Sequence, residues 1–259
     1  MTGRDYTAVA ELAAALVSKS RPIISQYFRQ TPDISQKSDK TPVTIADKEV
    51  ELALRQAITA RFPDHNIIGE EQDNIDQSSS MTWVIDPIDG TRAFSCGNPM
   101  FGTLIAVLDD GVPVVGVVDL PMLDQTWLGV LGQNTVLNGK PITVSGTTEI
   151  ENARLTTTSG HASGDDYPRF KQLSDQVMVT GYGGDCANYA HLASGWCDLV
   201  AESTLNAYDI MAVIPVIQGA GGVITQWDGK AITLDDYDGT ALASASPILH
   251  DKAQIALAR

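Results

Sequence analysis

The residues best suited to chemistry lie in one stretch, Trp83-Val84-Ile85-Asp86-Pro87-Ile88-Asp89-Gly90-Thr91-Arg92-Ala93-Phe94, where an apolar run stops at two carboxylates, a proline, a glycine and a threonine. A run bounded by turn formers in this way predicts a buried strand feeding a tight loop. Pro87 fixes its own φ and biases Asp86 away from helix, so the two aspartates sit on a stiff corner. Gly90 allows the backbone a close approach to a ligand. Two carboxylates on one rigid turn suit a hard cation such as Mg2+, and phosphate is the natural third party. Asp-Pro and Asp-Gly also occur in ordinary solvated turns, so this spacing alone leaves both accounts open.

Further acids recur at the ends of other predicted elements. The strand-like His65-Asn66-Ile67-Ile68-Gly69 runs into Glu70 and Glu71, separated from the central stretch only by a polar loop. Two buried strands ending in acids can lie side by side with their carboxylates converging, which is repulsive unless cations intervene. Asp47 stands near the start of an amphipathic helix through Val50, Leu54, Ile58 and Phe62, where a capping arrangement with Thr44 accounts for it equally well. Asp209 falls in the first turn of an apolar helix opened by Asn206-Ala207-Tyr208, and dipole and capping chemistry explain that placement too.

The elements that must position these acids follow from apolar patterning. Positions from Tyr6 to Phe28 predict one or two helices interrupted at Pro22, and Phe101–Leu108 and Val112–Asp119 predict a hairpin turning at Asp109-Asp110-Gly111. Trp127–Leu131 and Thr135–Leu137 extend the sheet. The small, polar segment from Val144 to Asn152 divides the chain into a half at 1–148, with most of the acids, and a half at 149–259. In the second half, strands are expected at Ala153–Thr158, Val177–Thr180 and Cys197–Ala201, with a helix from Cys186 to Ser194 and a hairpin turn at Trp227-Asp228-Gly229-Lys230. The Gly181-Tyr182-Gly183-Gly184 loop lacks the third glycine of a dinucleotide fingerprint, which would fall at Cys186, and no Walker A sequence occurs.

Composition sets the remaining limits. With 259 residues, 43% apolar and 19% charged, the chain reads as a globular protein with no signal segment and no span for a bilayer, expected in the cytoplasm. A net charge of −15 argues against nucleic acid or an anionic membrane as partner. An acidic chain handling a phosphorylated substrate needs cations between the two. Cys96, Cys186 and Cys197 show no disulfide framework or zinc spacing and are expected as small buried filler, and the four histidines, His161 among them, are scattered.

Taken in order, Gly69-Glu70-Glu71, Asp86-Pro87-Ile88-Asp89-Gly90-Thr91 and Tyr208-Asp209-Ile210-Met211-Ala212 resemble the three signature regions of the inositol monophosphatase family, with Tyr208 where Trp is usual. The resemblance extends to Lys37–Asp47, Gly183–Asp198 and Gly219–Gly222, so it covers nearly the whole chain. It implies an α/β (α+β) fold, a five-layer α-β-α-β-α sandwich, homodimeric, hydrolysing small phosphate monoesters with two or three Mg2+ per site, or Mn2+ in their place. Glu70, Asp86, Asp89, Asp209 and the Ile88 carbonyl would then ligate metal. Thr91, with Asp47 behind it and Glu70 across the metal, would orient or deprotonate the attacking water, and the Gly90 and Thr91 amides would bind phosphate. Gly-Thr-Arg-Ala-Phe and Gly-Gly-Asp-Cys look like the histidinol-phosphate phosphatase branch, which serves histidine biosynthesis. Asp185 and Glu202 are acids able to pair with that substrate's ammonium and imidazole, against capping and surface-charge readings of the two. Arg92 would contact phosphate or a structural acid. An inositol, sugar or nucleotide monophosphate as substrate, or a silent metal- or phosphate-binding role, are the alternatives.

Overall fold

The computed structural model describes residues 4–30, 35–36, 42–43, 45–159 and 164–258. Most of the Lys37–Asp47 segment, the Thr44 cap and His161 lie outside the described residues. The first half contains α1 (Thr7–Tyr27), β1 (Ser35–Gln36), β2 (Pro42–Val43), α2 (Ile45–Arg61), β3 (Asn66–Gly69), β4 (Met81–Asp89) and α3 (Thr91–Ser95). It continues through β5 (Gly102–Asp109), β6 (Val112–Leu120), β7 (Gln125–Val130), β8 (Val136–Leu137) and β9 (Lys140–Pro141). Strands β3 to β9 pair in sequence order as a 7-stranded sheet, antiparallel except for the parallel β3–β4 pair.

The second half comprises β10 (Arg154–Thr157), α4 (Tyr167–Ser174), β11 (Val179–Tyr182), α5 (Cys186–Ala193), β12 (Leu199–Glu202), α6 (Ala207–Ile210), α7 (Val213–Gly219), β13 (Val223–Thr225), β14 (Ala241–Ser244) and α8 (Pro247–Leu257). Its 5-stranded sheet has the order β11-β10-β12-β14-β13.

Alternation along the strands builds the layers. Trp83 and Ile85 of β4, Ile105 and Val107 of β5 and Val115 and Val117 of β6 pack under α1 and α2. The intervening Val84, Leu104, Ala106 and Val118 point the other way, onto α5 and α7, which also cover Val200 and Ala243 of the second sheet. The far face of that sheet, with Leu155, Leu199 and Leu242, packs on α4 and α8. The result is an α-β-α-β-α sandwich whose strands are buried on both faces, which is why β5 and β6 read as unbroken apolar runs. Paired glycines make the central layer possible. Gly116 and Gly129 are register partners on β6 and β7, and a Cβ on them would lie 1.9 Å from the Ala212 carbonyl oxygen and 2.4 Å from the Pro215 carbonyl carbon. The notch seats the start of α7 against the sheet and so fixes where Asp209, one helix earlier, can reach.

Several sequence expectations need correction. The N-terminal segment is one helix, as one of the two expected counts had it, but Pro22 does not interrupt it and costs only a single backbone bond. The helix expected from Asn206 onward is instead two, α6 and α7, broken at Met211–Ala212, because Pro215 has no N–H to give to the Met211 carbonyl. The second strand of the second half starts at Val179, two residues later than expected, its register set by parallel pairing of Arg154 with Val179. Trp227–Lys230 is a turn within the long connection from β13 to β14 and not a hairpin tip. Cys96 is exposed and is no core filler, while Cys186 and Cys197 are buried.

Candidate active site

A local irregularity in β4 puts its two aspartates on one side. In a regular strand, residues three apart face opposite ways. Here Asp86 lies opposite Leu104 and Asp89 opposite Gly102, so three steps on β4 match two on β5 and the extra residue forms a bulge. Asp86 and Asp89 therefore share the face of Val84, toward the central helical layer. The Thr103 hydroxyl donates to the Pro87 carbonyl at 2.8 Å and holds the bulge. Gly69 pairs with Ile85, so Glu70 and Asp86 leave neighbouring parallel strands at the same level.

Other elements close on this corner. Carboxylate oxygens of Asp86, Asp89 and Asp209 lie within 4.8 Å of one another. Asp209 accepts a bond from the Asn206 amide at 2.6 Å, so the capping reading of this acid is also true. Asp89 accepts from the Cys186 amide at 2.5 Å, at the first turn of α5. Asp47, on the first turn of α2, is fully buried and close enough to Asp86 to raise its pKa. A cleft of about 230 Å3 is lined by Glu70, Asp86, Ile88, Asp89, Gly90, Thr91, Arg92, Asp185, Glu202 and Asp209. Every residue given a role at the site except Asp47 thus reaches one cavity, whereas Glu71 does not line it.

The electrostatics of this corner are unusual. Burial, then the charges of Glu70, Asp89, Asp209 and Asp47, hold the Asp86 carboxyl well above the usual range. Burial, Asp185 and Asp209 do the same to Asp89 against the opposing Cys186 bond. Asp209 is pushed up to about 7, chiefly by burial, with Glu70 and Glu202 adding to it and the Asn206 amide opposing. One oxygen of Asp86, Oδ1, is buried with no hydrogen-bond partner. A desolvated carboxylate oxygen without a donor, among like charges, is costly unless a cation sits against it. The donor set is all oxygen, which fits a hard divalent ion.

The opposite wall is built differently. Asp185 is not a cap of α5 through its side chain, contrary to the simplest reading, and its backbone is held at φ 45°, ψ −129°. Strain of this kind costs on the order of 1–3 kcal/mol and concentrates at functional sites. Its carboxylate fits because Gly90 has no Cβ, which would lie 2.8 Å from Asp185 Oδ2. Burial and Glu202 raise the Asp185 carboxyl to about 6, and Arg92, exposed at the rim, pulls against them. Glu202 is no surface charge, being 5% exposed. Its Oε1 accepts from the Thr158 amide and hydroxyl, both at 2.7 Å, and its Oε2 from the Tyr189 hydroxyl at 2.9 Å. Sequence reasoning missed Thr158 and Tyr189, and also Ser203, whose buried hydroxyl on the cleft wall lacks a partner. Adjacency to Glu202 was the only available signal for Ser203.

The model of the inositol monophosphatase family matches residues 5–258. The bifunctional phosphatase IMPL2 of Arabidopsis thaliana, a chloroplastic protein, is 45% identical over 224 residues, 85% of this chain, which spans 65% of that relative's length. The histidinol-phosphatase of Chlorobaculum parvum is 33% identical over 91% of each chain. Among solved structures, an inositol monophosphatase from Zymomonas mobilis superposes with a TM-score of 0.90 at 34% identity, covering 99% of this chain and 100% of its own.

Proposed function

This chain belongs to the inositol monophosphatase family and is a phosphoric monoester hydrolase, and from that premise we propose that it is a Mg2+-dependent histidinol-phosphate phosphatase. The observation that carries the reading is the two-sided cleft, with a corner of mutually repelling acids at Asp86, Asp89 and Asp209 facing a second acid pair, Asp185 and Glu202, about the same cavity. Glu70, Asp86, Asp89, Asp209 and the Ile88 carbonyl would hold two or three Mg2+, or Mn2+ in their place. Bound there, the cations would neutralise phosphoryl oxygens and lower the pKa of water. The chain's own groups supply the rest. The Gly90 and Thr91 amides, where α3 begins, donate to the phosphate. Thr91 and Glu70 would orient the attacking water, and Asp47, buried behind the cleft, would steady Thr91 and take up proton density. Water oxygen bonds to phosphorus in line as the ester P–O bond breaks, the water's proton passes to these carboxylates, and the leaving oxygen takes a proton from solvent and departs as the alcohol, without a phosphoenzyme.

On the leaving-group side, the Thr158 amide and hydroxyl and the Tyr189 hydroxyl already donate to Glu202, with Asn188 beside it as well, so Asp185 is the freer partner for an ammonium or imidazolium. The relatives include a histidinol-phosphatase, which supports the same reading. A second reading has its own support. The wall also carries Thr157, Thr158, Ser203 and Thr204, hydroxyl-bearing residues that suit a polyol such as inositol monophosphate.

Phosphate release measured over histidinol phosphate, inositol monophosphate and sugar phosphates, with and without Mg2+, tests the proposal. The expected result is Mg2+-dependent turnover, fastest on histidinol phosphate, with Asp185→Ala raising KM for that substrate selectively. An equal rise in KM for both substrate classes contradicts cation recognition, and turnover unaffected by chelation contradicts the metal. A homodimer is part of the proposal, supported by edge strand β11, where Val179 and Tyr182 are 51% and 62% exposed. So is a cytoplasmic location, supported by three free cysteines. Among the described residues no helix is long and apolar enough to cross a membrane.

A further inference from the structure

Behind the cleft, the loop that carries Glu70 is held by a buried ion pair that the mechanism does not use. After Gly69 the chain leaves the β3 ladder, and the polar backbone groups of the next residues need partners elsewhere. They find them on α2. Glu51 Oε2 accepts from the Glu71 amide at 2.7 Å and Oε1 from the Gln72 amide at 3.1 Å. Arg55 donates through Nη1 to the Asp73 carbonyl at 3.0 Å and through Nη2 to the Gln72 carbonyl at 3.1 Å. Its Nε closes the pair onto Glu51 Oε1 at 2.7 Å. The Glu51 and Arg55 side chains are 0% and 6% exposed, so the contacts are shielded from water. No slack remains at the strand end either, since a Cβ on Gly69 would lie 2.3 Å from Glu51 Oε1 and 2.7 Å from Arg55 Nη2.

We propose that Glu51 and Arg55 are positioning residues for Glu70, fixing its carboxylate relative to Asp47 and Asp86 and so setting the affinity of the cleft for divalent cations. The inference rests on the metal-site reading above. Its geometry comes from one helix, because Asp47, Glu51 and Arg55 recur every four residues and share a face of α2. The helix that places Asp47 beside Asp86 therefore also grips the loop of Glu70, and the two acids move together or not at all. A buried ion pair is poor value for stability alone, since apolar residues of the same volume serve as well or better. A pair that hydrogen-bonds 71–73 of one loop supplies orientation instead.

Calorimetric titration of Mn2+ into the full chain tests this. Arg55→Lys keeps the charge but cannot reach both carbonyls, and Glu51→Gln turns a donor toward the Glu71 or Gln72 amide. Each should weaken Mn2+ binding by about 10- to 100-fold, the usual cost of losing an outer partner of a ligand, with KM for the phosphate ester unchanged at saturating Mn2+. Equal Mn2+ affinity in both variants and the wild type overturns the proposal and leaves the metal site standing. A wild type that binds no Mn2+ overturns both. Should the variants fail to fold, hydrogen exchange on the wild type decides. Coupling is reciprocal, so Mn2+ must slow exchange of the Glu71 and Gln72 amides, and exchange that is the same with and without Mn2+ overturns the clamp.

Discussion

Asp198, just before β12, and Asp86, within β4, are both buried aspartates, and their surroundings are opposite in kind. Asp198 receives the Arg154 guanidinium at 2.8 and 3.0 Å, the Arg154 amide at 2.8 Å, and the Ser145 and Thr147 hydroxyls at 2.5 and 2.9 Å. Burial pushes its carboxyl up, yet these donors outweigh burial and bring it down to about 2. Asp86 has Glu70, Asp89, Asp209 and Asp47 around it and an oxygen with no donor. The fold can thus satisfy a buried carboxylate from its own side chains, as it does at the seam before β12, and at the cleft it leaves the task to something else. Arg21 neutralises Asp119, fully buried on β6, in the same self-sufficient way.

The largest expected effect separates these two centres directly. Asp86→Asn should lower turnover by roughly a thousandfold, the scale of losing several kcal/mol of charge stabilisation, while raising the cation-free melting temperature by removing an acid whose ionisation burial and its neighbours oppose. Asp198→Asn should do the reverse, costing about 1–3 kcal/mol of stability through donors left unpaired with kcat nearly unchanged. Phosphate-release kinetics and calorimetric melting on both variants check this. The same direction of melting shift in the two would break the comparison.

The pH dependence has opposite signs as well. Asp209 and Asp185, raised from 3.8 to about 7 and about 6, favour the folded chain while protonated, so the cation-free protein loses that stability as pH rises from near 4 to near 7. Asp198, lowered to about 2, contributes stability above 3.8 that is lost as pH falls toward 2. Melting curves across that range with and without Mg2+ should show a stabilisation by Mg2+ that grows with pH as protons leave the cluster. A Mg2+ effect independent of pH would contradict the assignment. The smallest effect sharpens the picture of the bulge: Thr103→Val should cost about 1 kcal/mol for its lost bond to the Pro87 carbonyl, with a few-fold weaker Mg2+ dependence of turnover.

Much of this was legible in the sequence, for reasons that differ by residue. The apolar runs of β4, β5 and β6 announced strands, and the acids that follow β3 and end β4 marked the corner. The bulge at Pro87 was visible only as a stiff turn, since the count of partners across β5 decides its effect. The break between α6 and α7 was written in Pro215 but masked by the apolar residues around it. Glu51 and Arg55 went unnoticed because Glu and Arg four apart on a helix usually form an exposed pair, and only the packed loop shows them buried. Thr158 and Tyr189 come to Glu202 from 44 and 13 residues away, a relation that no local pattern carries.

Anomalous diffraction from crystals soaked in Mn2+ addresses the central claim most directly. The account predicts Mn2+ peaks between the carboxylates of Glu70, Asp86, Asp89 and Asp209, with one ion in contact with Asp86 Oδ1. Manganese absent from that corner while the cleft keeps the same geometry would contradict it.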